Sequence, residues 1–379
     1  MRNDSRNSMR VQGPIVVPRR IARLLAGAFL MSALAACTHI GPATVERDRM
    51  DYGSAIADSW KQQTLLNIVK IRYGDFPVYL DVAQVIAGYQ LQSTVGADLS
   101  ATGASGAMVS PFTIGGTALA QGTYTDRPTI VYAPLTGNDF LKKLMTPIPP
   151  SSLMSLLQSG YNADLVMAMG VDSINGVSNG SMRSTNRAVD PQFLRLTQLL
   201  RDLQLANAVQ VRIVTAKDGP ESTLLRFSST ANPEIAAKSK EISSILHLNP
   251  GQREFKVYYG GYSGRDDEID IMTRSMLHIM IEISALIQVP ATDITSGRAA
   301  LGAQAGDVAS GAAKPLIKIE SGDTEPKDAY DAIRYNDHWF WVANTDLRSK
   351  YSFAFIMLLF SISDVGPKSS APVLTVPTN

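Results

Sequence analysis

Residues Tyr89–Thr125 constrain this 379-residue chain more than any other stretch. These 37 residues carry one charge, Asp98, and six glycines. Read alternately, Tyr89, Leu91, Val95, Ala97, Leu99 and Ala101 fall on one side, and Gln90, Gln92, Thr94, Asp98, Ser100 and Thr102 on the other; only Ser93 interrupts the apolar row. A second run sets Phe112, Ile114, Gly116, Ala118, Ala120, Gly122 and Tyr124 against Thr113, Thr117, Gln121, Thr123 and Thr125, with Leu119 interrupting the polar row. Period-two alternation of this length predicts two long strands, joined by the turn Gly103-Ala104-Ser105-Gly106-Ala107. Opposite residues of a hairpin share a face, so odd apolar positions must meet even ones. Pairing Tyr89 with Tyr124 and Ala101 with Phe112 meets that condition.

The eleven residues Leu91–Ala101 extend about 36 Å, or about 25 Å at a 45° tilt, the height of the apolar band of an outer-membrane barrel. On that reading Leu91, Val95, Leu99 and Ile114 face the membrane, Gln92 and Thr117 face a polar lumen, and the tyrosine pair lies at an interface. One hairpin cannot close a barrel, and an open sheet edge is not viable in lipid. Insertion therefore requires a ring of subunits that each give two strands. Two other readings compete: a glycine-rich soluble hairpin packed on its own domain or a neighbour, and a disordered loop.

The N-terminus gives an address. Arg19, Arg20 and Arg23 precede an apolar core, Leu24 to Leu34, too short for a spanning helix of about 20 residues. The stretch closes with Leu34-Ala35-Ala36-Cys37, and Cys37 is the only cysteine. This resembles the lipobox of bacterial lipoproteins. The resemblance implies cleavage between Ala36 and Cys37 and lipidation of Cys37, and Thr38 in place of aspartate implies sorting to the outer membrane, with the body in the periplasm. The body as a whole resembles uncharacterised proteobacterial lipoproteins. Met9 would give the leader a more usual length. A single cysteine excludes an internal disulfide framework and any multi-cysteine metal site. The leader holds six of the 35 basic and one of the 34 acidic residues, so the 343-residue mature chain carries 29 against 33, net −4. Such a chain has no field for nucleic acid.

The expected fold class is α+β. The chain divides into a signal peptide (1–36), a lipidated polar tether (37–50), a helix plus long hairpin (51–135), a helical connector (136–189) and an α+β domain (190–379). Helices are expected from Asp58 to Arg72, Asn138 to Met145, Ser151 to Gln158, Ala163 to Met169, Asp190 through Leu203, Glu234 to His247 and Tyr351 to Ser363, the last capped by Asp346 or Ser349. Ile269, Met272, Met276, Ile279, Met280, Ile283 and Leu286 mark a further long helix. Strands are expected at Phe76–Ile86, Val209–Thr215, Leu224–Phe227, Phe255–Tyr259, Leu316–Ile319 and Trp339–Val342. Asp172–Arg187 and 291–314 read as loops.

Little in the sequence points to catalysis. His39, His247, His278 and His338 have no partners at metal-ligand spacing, so no metal and no cofactor is expected. Gly176-Val177-Ser178-Asn179-Gly180 matches the nucleophile-elbow pattern without its strand–turn–helix setting. Asp266, Asp267, Glu268 and Asp270 read as favourable charge at a helix N-terminus. His338-Trp339-Phe340-Trp341 reads as a half-buried strand, His278 as a core histidine, and Met272, Met276 and Met280 as core. The chain is expected to be a non-enzymatic, outer-membrane-anchored lipoprotein: a homo-oligomeric channel or secretion-complex subunit. The alternative is an accessory or scaffold lipoprotein, a binding module of an envelope complex.

Overall fold

The computed structural model describes residues 40–86, 89–100, 115–126, 129–135, 138–181, 188–215, 221–228, 232–303 and 316–363. Ala36, Cys37, the turn 103–107 and Ile114 lie outside them. The fold is α+β, and the chain divides into two compact units, Met1–Asp58 and Ser59–Asn379. Helix α1, Ile40–Arg72, crosses that boundary. Residues 40–50, expected as a polar tether, are therefore helical. Their alanine, glutamate and arginine have good helix propensity, which a polarity argument alone overlooks.

Strands β1 (Tyr79–Ile86) and β4 (Thr129–Leu135) form one two-stranded antiparallel ladder, and β2 (Tyr89–Ser100) and β3 (Gly115–Asp126) form another. The expected hairpin register is corrected by two residues: Tyr89 stands opposite Asp126, and Tyr124 opposite Leu91. A slip of two keeps the parity, because the side-chain period of a strand is two. The apolar rows of the sequence still meet, with Val95 opposite Ala120 and Ala97 opposite Ala118. The two ladders share one register. The offset at Gln84↔Val131 and Ile86↔Thr129 is the one at Tyr89↔Asp126 and Ser100↔Gly115. Between Val82 and Gln84 the register shifts, a β-bulge at Ala83. Before the bulge even residues of β1 oppose even residues of β4; after it the parity of β1 switches. By position, Leu80, Val82, Val85, Ile130, Tyr132 and Pro134 thus come to one face.

The body is built on a six-stranded sheet of order β6-β5-β10-β9-β8-β7. Its strands are β5 (Val171–Ile174), β6 (Val177–Ser178), β7 (Val209–Thr215), β8 (Glu221–Phe227), β9 (Glu254–Tyr259) and β10 (Glu268–Thr273). Leu225, Phe227, Phe255, Val257, Ile269 and Ile271 are buried, while Arg226, Lys256, Tyr258 and Met272 between them are exposed. Along β8 and β9 one face carries the core and the other is open, the alternation of a half-buried sheet, whereas β5 and β10 also bury Asp172 and Asp270. The remaining helices are α2 (Asn138–Met145), α3 (Pro150–Gln158), α4 (Ala163–Gly170), α5 (Pro191–Leu205), α6 (Pro233–Ile245), α7 (Met276–Ser284), α8 (Ala291–Thr295) and α9 (Leu347–Ser363). A three-stranded sheet, β11 (Glu320–Gly322), β12 (Ala329–Tyr335) and β13 (His338–Ala343), has order β11-β13-β12.

Several expectations need correction. The long helix from Ile269 is strand β10 followed by helix α7, which starts after Ser275, whose hydroxyl accepts from the His278 amide at 3.2 Å. Neighbours β5 and β9 decide for strand where local periodicity fits both. The acidic run therefore opens a strand, not a helix, and Met272 is exposed while Met276 and Met280 are core. The loop at Asp172 contains the β5–β6 hairpin. Its turn, Asn175-Gly176, has both φ positive, 42° and 82°, the geometry of the tightest hairpin turns. Residues 291–295 are helical, Leu316–Ile319 contributes only an isolated bridge, Ile287↔Ile319, and the strand lies at 320–322. Strand β12 was not expected. Helix α9 starts at Leu347, and Asp346 caps it: its carboxylate accepts from the Ser349 amide at 3.1 Å and hydroxyl at 2.6 Å.

Candidate functional site

The ribbon β1–β4 is rooted in the body by one aromatic residue. Tyr79 is 1% exposed, with its ring centroid 4.8 Å from Phe360, 5.9 Å from Phe140 and 6.4 Å from Trp60. Burial pushes the Tyr79 phenol well above the usual tyrosine range. Two amides of α1 hold the backbone beside it. Asn67 donates to the Val78 carbonyl at 2.8 Å and accepts from the Val78 amide at 2.9 Å. Gln63, one turn earlier, donates to the Leu80 carbonyl at 3.1 Å and accepts from the Leu80 amide at 2.7 Å. The helix thus supplies the hydrogen bonds that a neighbouring strand would give. Sequence reasoning missed both residues; the signal was two amides four apart on one helix face.

Beyond this root, β1 and β4 carry exposed hydrophobic side chains. Leu80, Ile130, Val131 and Tyr132 are 41–55% exposed, and among the described residues each of the four strands has one hydrogen-bonded neighbour. Of the residues expected to face a membrane, Leu91, Val95 and Leu99 lie in β2, opposite Tyr124, Ala120 and Gly116. Gln92 and Thr117 stand opposite Thr123 and Asp98.

No family model, curated protein or solved structure matches this chain. Among the described residues no helix is long and apolar enough to cross a membrane, and no group of three or more His, Cys, Asp or Glu is placed to hold a metal ion.

Two polar clusters lie in the body. Asp293, 1% exposed, accepts from the Tyr73 hydroxyl at 2.7 Å and pairs with Arg298 at 3.2 Å. His338 lies with Nε2 3.8 Å from Asp293 and Nδ1 2.8 Å from Asp323. Burial, then the hydrogen bond to Asp293 and its charge, push the Tyr73 phenol well above the usual range. The fold thus gives His338 two carboxylate neighbours, from α8 and from just after β11, while Trp339 and Trp341 are half-buried about a buried Phe340.

The second cluster borders a cavity of about 410 Å³, with Ala168, Asn179, Leu194, Arg274, Ile279 and Glu282 among its lining. Arg274 donates to the carbonyls of Ala168 and Gly180, both at 3.1 Å, and its Nε is 3.9 Å from Asp172. Glu282 accepts from the Ser181 hydroxyl at 2.7 Å, with His278 Nε2 3.6 Å away. His278 is half-buried beside this acid, not in the apolar core. Ser178 lies in β6, and its Oγ accepts from the Gly180 amide at 3.1 Å.

Proposed function

We propose that this chain is a lipid-anchored outer-membrane protein, acylated at Cys37, whose copies pool their ribbons into a composite β-barrel above periplasmic α+β bodies. It would serve as the subunit of an oligomeric channel or secretion complex. The observation that carries this reading is the ribbon: two ladders in one register, every strand with a single neighbour among the described residues. An isolated two-stranded ribbon is marginal in water, and its unpaired edges invite another strand. Neighbouring copies satisfy both edges at once, since a head-to-tail ring closes without a free edge. The twelve-residue strands β2 and β3 extend about 40 Å, or about 28 Å at a 45° tilt, which suits the apolar band of such a barrel.

Labelling in intact outer membranes tests it. Single cysteines at positions 95 and 99, with Cys37 kept lipidated, should resist water-soluble maleimides and be reached by a lipid-soluble quencher. Those at 92 and 94 should react with the maleimide. If the quencher reaches neither set, the inserted ribbon is wrong. The cavity in the body favours a second reading, an accessory lipoprotein that acts as a binding module; a monomeric particle in mild detergent would select it.

A further inference from the structure

The cavity between α4, α5 and α7 has no part in the ribbon reading, and its lining joins apolar side chains to charges that balance. We propose that it binds an uncharged, largely apolar small molecule, whose hydrocarbon body packs against Leu194, Ile279, Ile283 and Leu286. The proposal rests on the binding-module reading, to which it gives a ligand class, and is independent of where the ribbon lies. A volume of about 410 Å³ falls within the range of small-molecule sites, which pair apolar walls with a few placed polar groups. Ile279 and Ile283 lie one turn apart on α7, and Leu286 follows in the turn that closes the helix, its amide donating to the Ile283 carbonyl at 2.9 Å. That spacing brings the three side chains to one side, and Leu194 of α5 and Leu316 join them in the lining.

The absence of charge on the ligand follows from the signs around it. Among the described residues the lining holds two acids, Asp164 and Glu282, and two bases, Arg274 and Arg348, so it offers no net charge. Asp164 and Arg348 are exposed, whereas Glu282 and Arg274 are buried. Each buried charge is set against the protein's own groups. Arg274 donates to the Ala168 and Gly180 carbonyls and its Nε stands 3.9 Å from Asp172. Glu282 accepts from Ser181, with His278 Nε2 3.6 Å away. The neutral polar side chains are turned inward as well: Asn179 donates to the carbonyls of Ala168 and Val171, at 2.9 and 2.7 Å, and the Thr197 hydroxyl to that of Leu194 at 2.8 Å. A charged group entering here would give up its water without meeting a net opposite charge. A hydrocarbon body gains by leaving water wherever it meets the apolar wall.

Three probes of one shape test this by titration of the full-length protein in an amphipol, which keeps detergent monomers out of the cavity, with magnetisation transfer to the probe as the readout. Cyclohexylmethanol should bind saturably, and about tenfold more tightly than cyclohexylmethylamine or cyclohexanecarboxylate. Ile283→Trp, which fills the cavity and leaves its four charges in place, should abolish saturable binding; partition into the amphipol would persist in that variant. Either charged probe binding as tightly as the alcohol, no saturable binding of the alcohol, or unchanged alcohol affinity in folded Ile283→Trp would overturn the proposal. Should Ile283→Trp fail to fold, Leu286→Trp narrows the cavity from a half-buried position, and unchanged alcohol affinity there overturns it equally. The binding-module reading is judged on particle mass and this proposal on probe affinity, so the failure of one is distinguishable from the failure of the other.

Discussion

Asn175 shows how much one side chain can hold in this body. Its φ of 42° is one that asparagine tolerates and alanine does not. Its amide donates to the Leu246 carbonyl at 2.8 Å and accepts from the Asp270 amide at 2.7 Å. One residue therefore closes the β5–β6 turn and ties it to β10 and the end of α6. Asn175→Ala strains the turn and strands two buried backbone groups, and should cost roughly 2 kcal/mol or more. A fall in urea midpoint at unchanged slope is the expected signature; a change under about 0.5 kcal/mol, the usual surface effect, would contradict it. Tyr79 gives a second residue-scale prediction. Its folded pKa is raised by burial, so the folded state keeps a proton that the unfolded chain releases near the ordinary tyrosine value of about 10. The associated stability is complete below about pH 10 and is lost as pH rises past it toward the folded pKa. Tyr73 acts in the same direction. Stability should fall between about pH 9 and about pH 11, and Tyr79→Phe should flatten that fall; parallel curves for the two proteins would rule out the assignment.

At the scale of elements, the ribbon is defined by its register and its root. Oxidised cysteine pairs read the register directly. Leu91→Cys with Tyr124→Cys should form a disulfide, whereas Tyr89→Cys with Tyr124→Cys should not, because those positions are two apart along the ladder. Mobility on a non-reducing gel decides, and the reverse outcome restores the register read from the sequence. The root depends on α1. Removing the Asn67 amide leaves the amide and carbonyl of Val78 without their partner. Asn67→Ala should therefore speed hydrogen exchange in the segment around Val78 and Leu80, with the core of α5 unaffected. Elements with a strong local signal were legible. The start of α5 shows in Asp190-Pro191, where the Asp190 carboxylate accepts from Gln192 at 2.8 Å. Strand β10 was not legible, because its apolar positions fit a helical stripe equally well and only flanking strands choose between the two.

For the whole molecule, anchoring and assembly make separable predictions. If Cys37 carries the acyl chains, as proposed, Cys37→Ser should abolish lipid labelling and block normal processing. A mutant that still matures and fractionates with the outer membrane would show that the anchor lies elsewhere. A composite barrel predicts a detergent-extracted particle several times the mass of one mature chain. A particle of about 37 kDa, 343 residues at roughly 110 Da each, would instead give a monomer.

The sequence alone determined the α+β class, the long alternating strands and the parity of their pairing, because period, caps and turn residues are local and each position carries its own signal. Only the tertiary structure decided the two-residue slip, the bulge at Ala83 that brings Leu80, Val82 and Val85 to one face, and the clamp of Gln63 and Asn67 on β1. The same holds for the cavity in the body. Its walls come from residues as far apart as Ala168 and Arg348, and whether Arg274 or Asn179 meets a ligand or a backbone carbonyl depends on neighbours about 100 or only 11 positions away. A hydrogen bond of that kind is a property of the packed chain, and no local pattern encodes it.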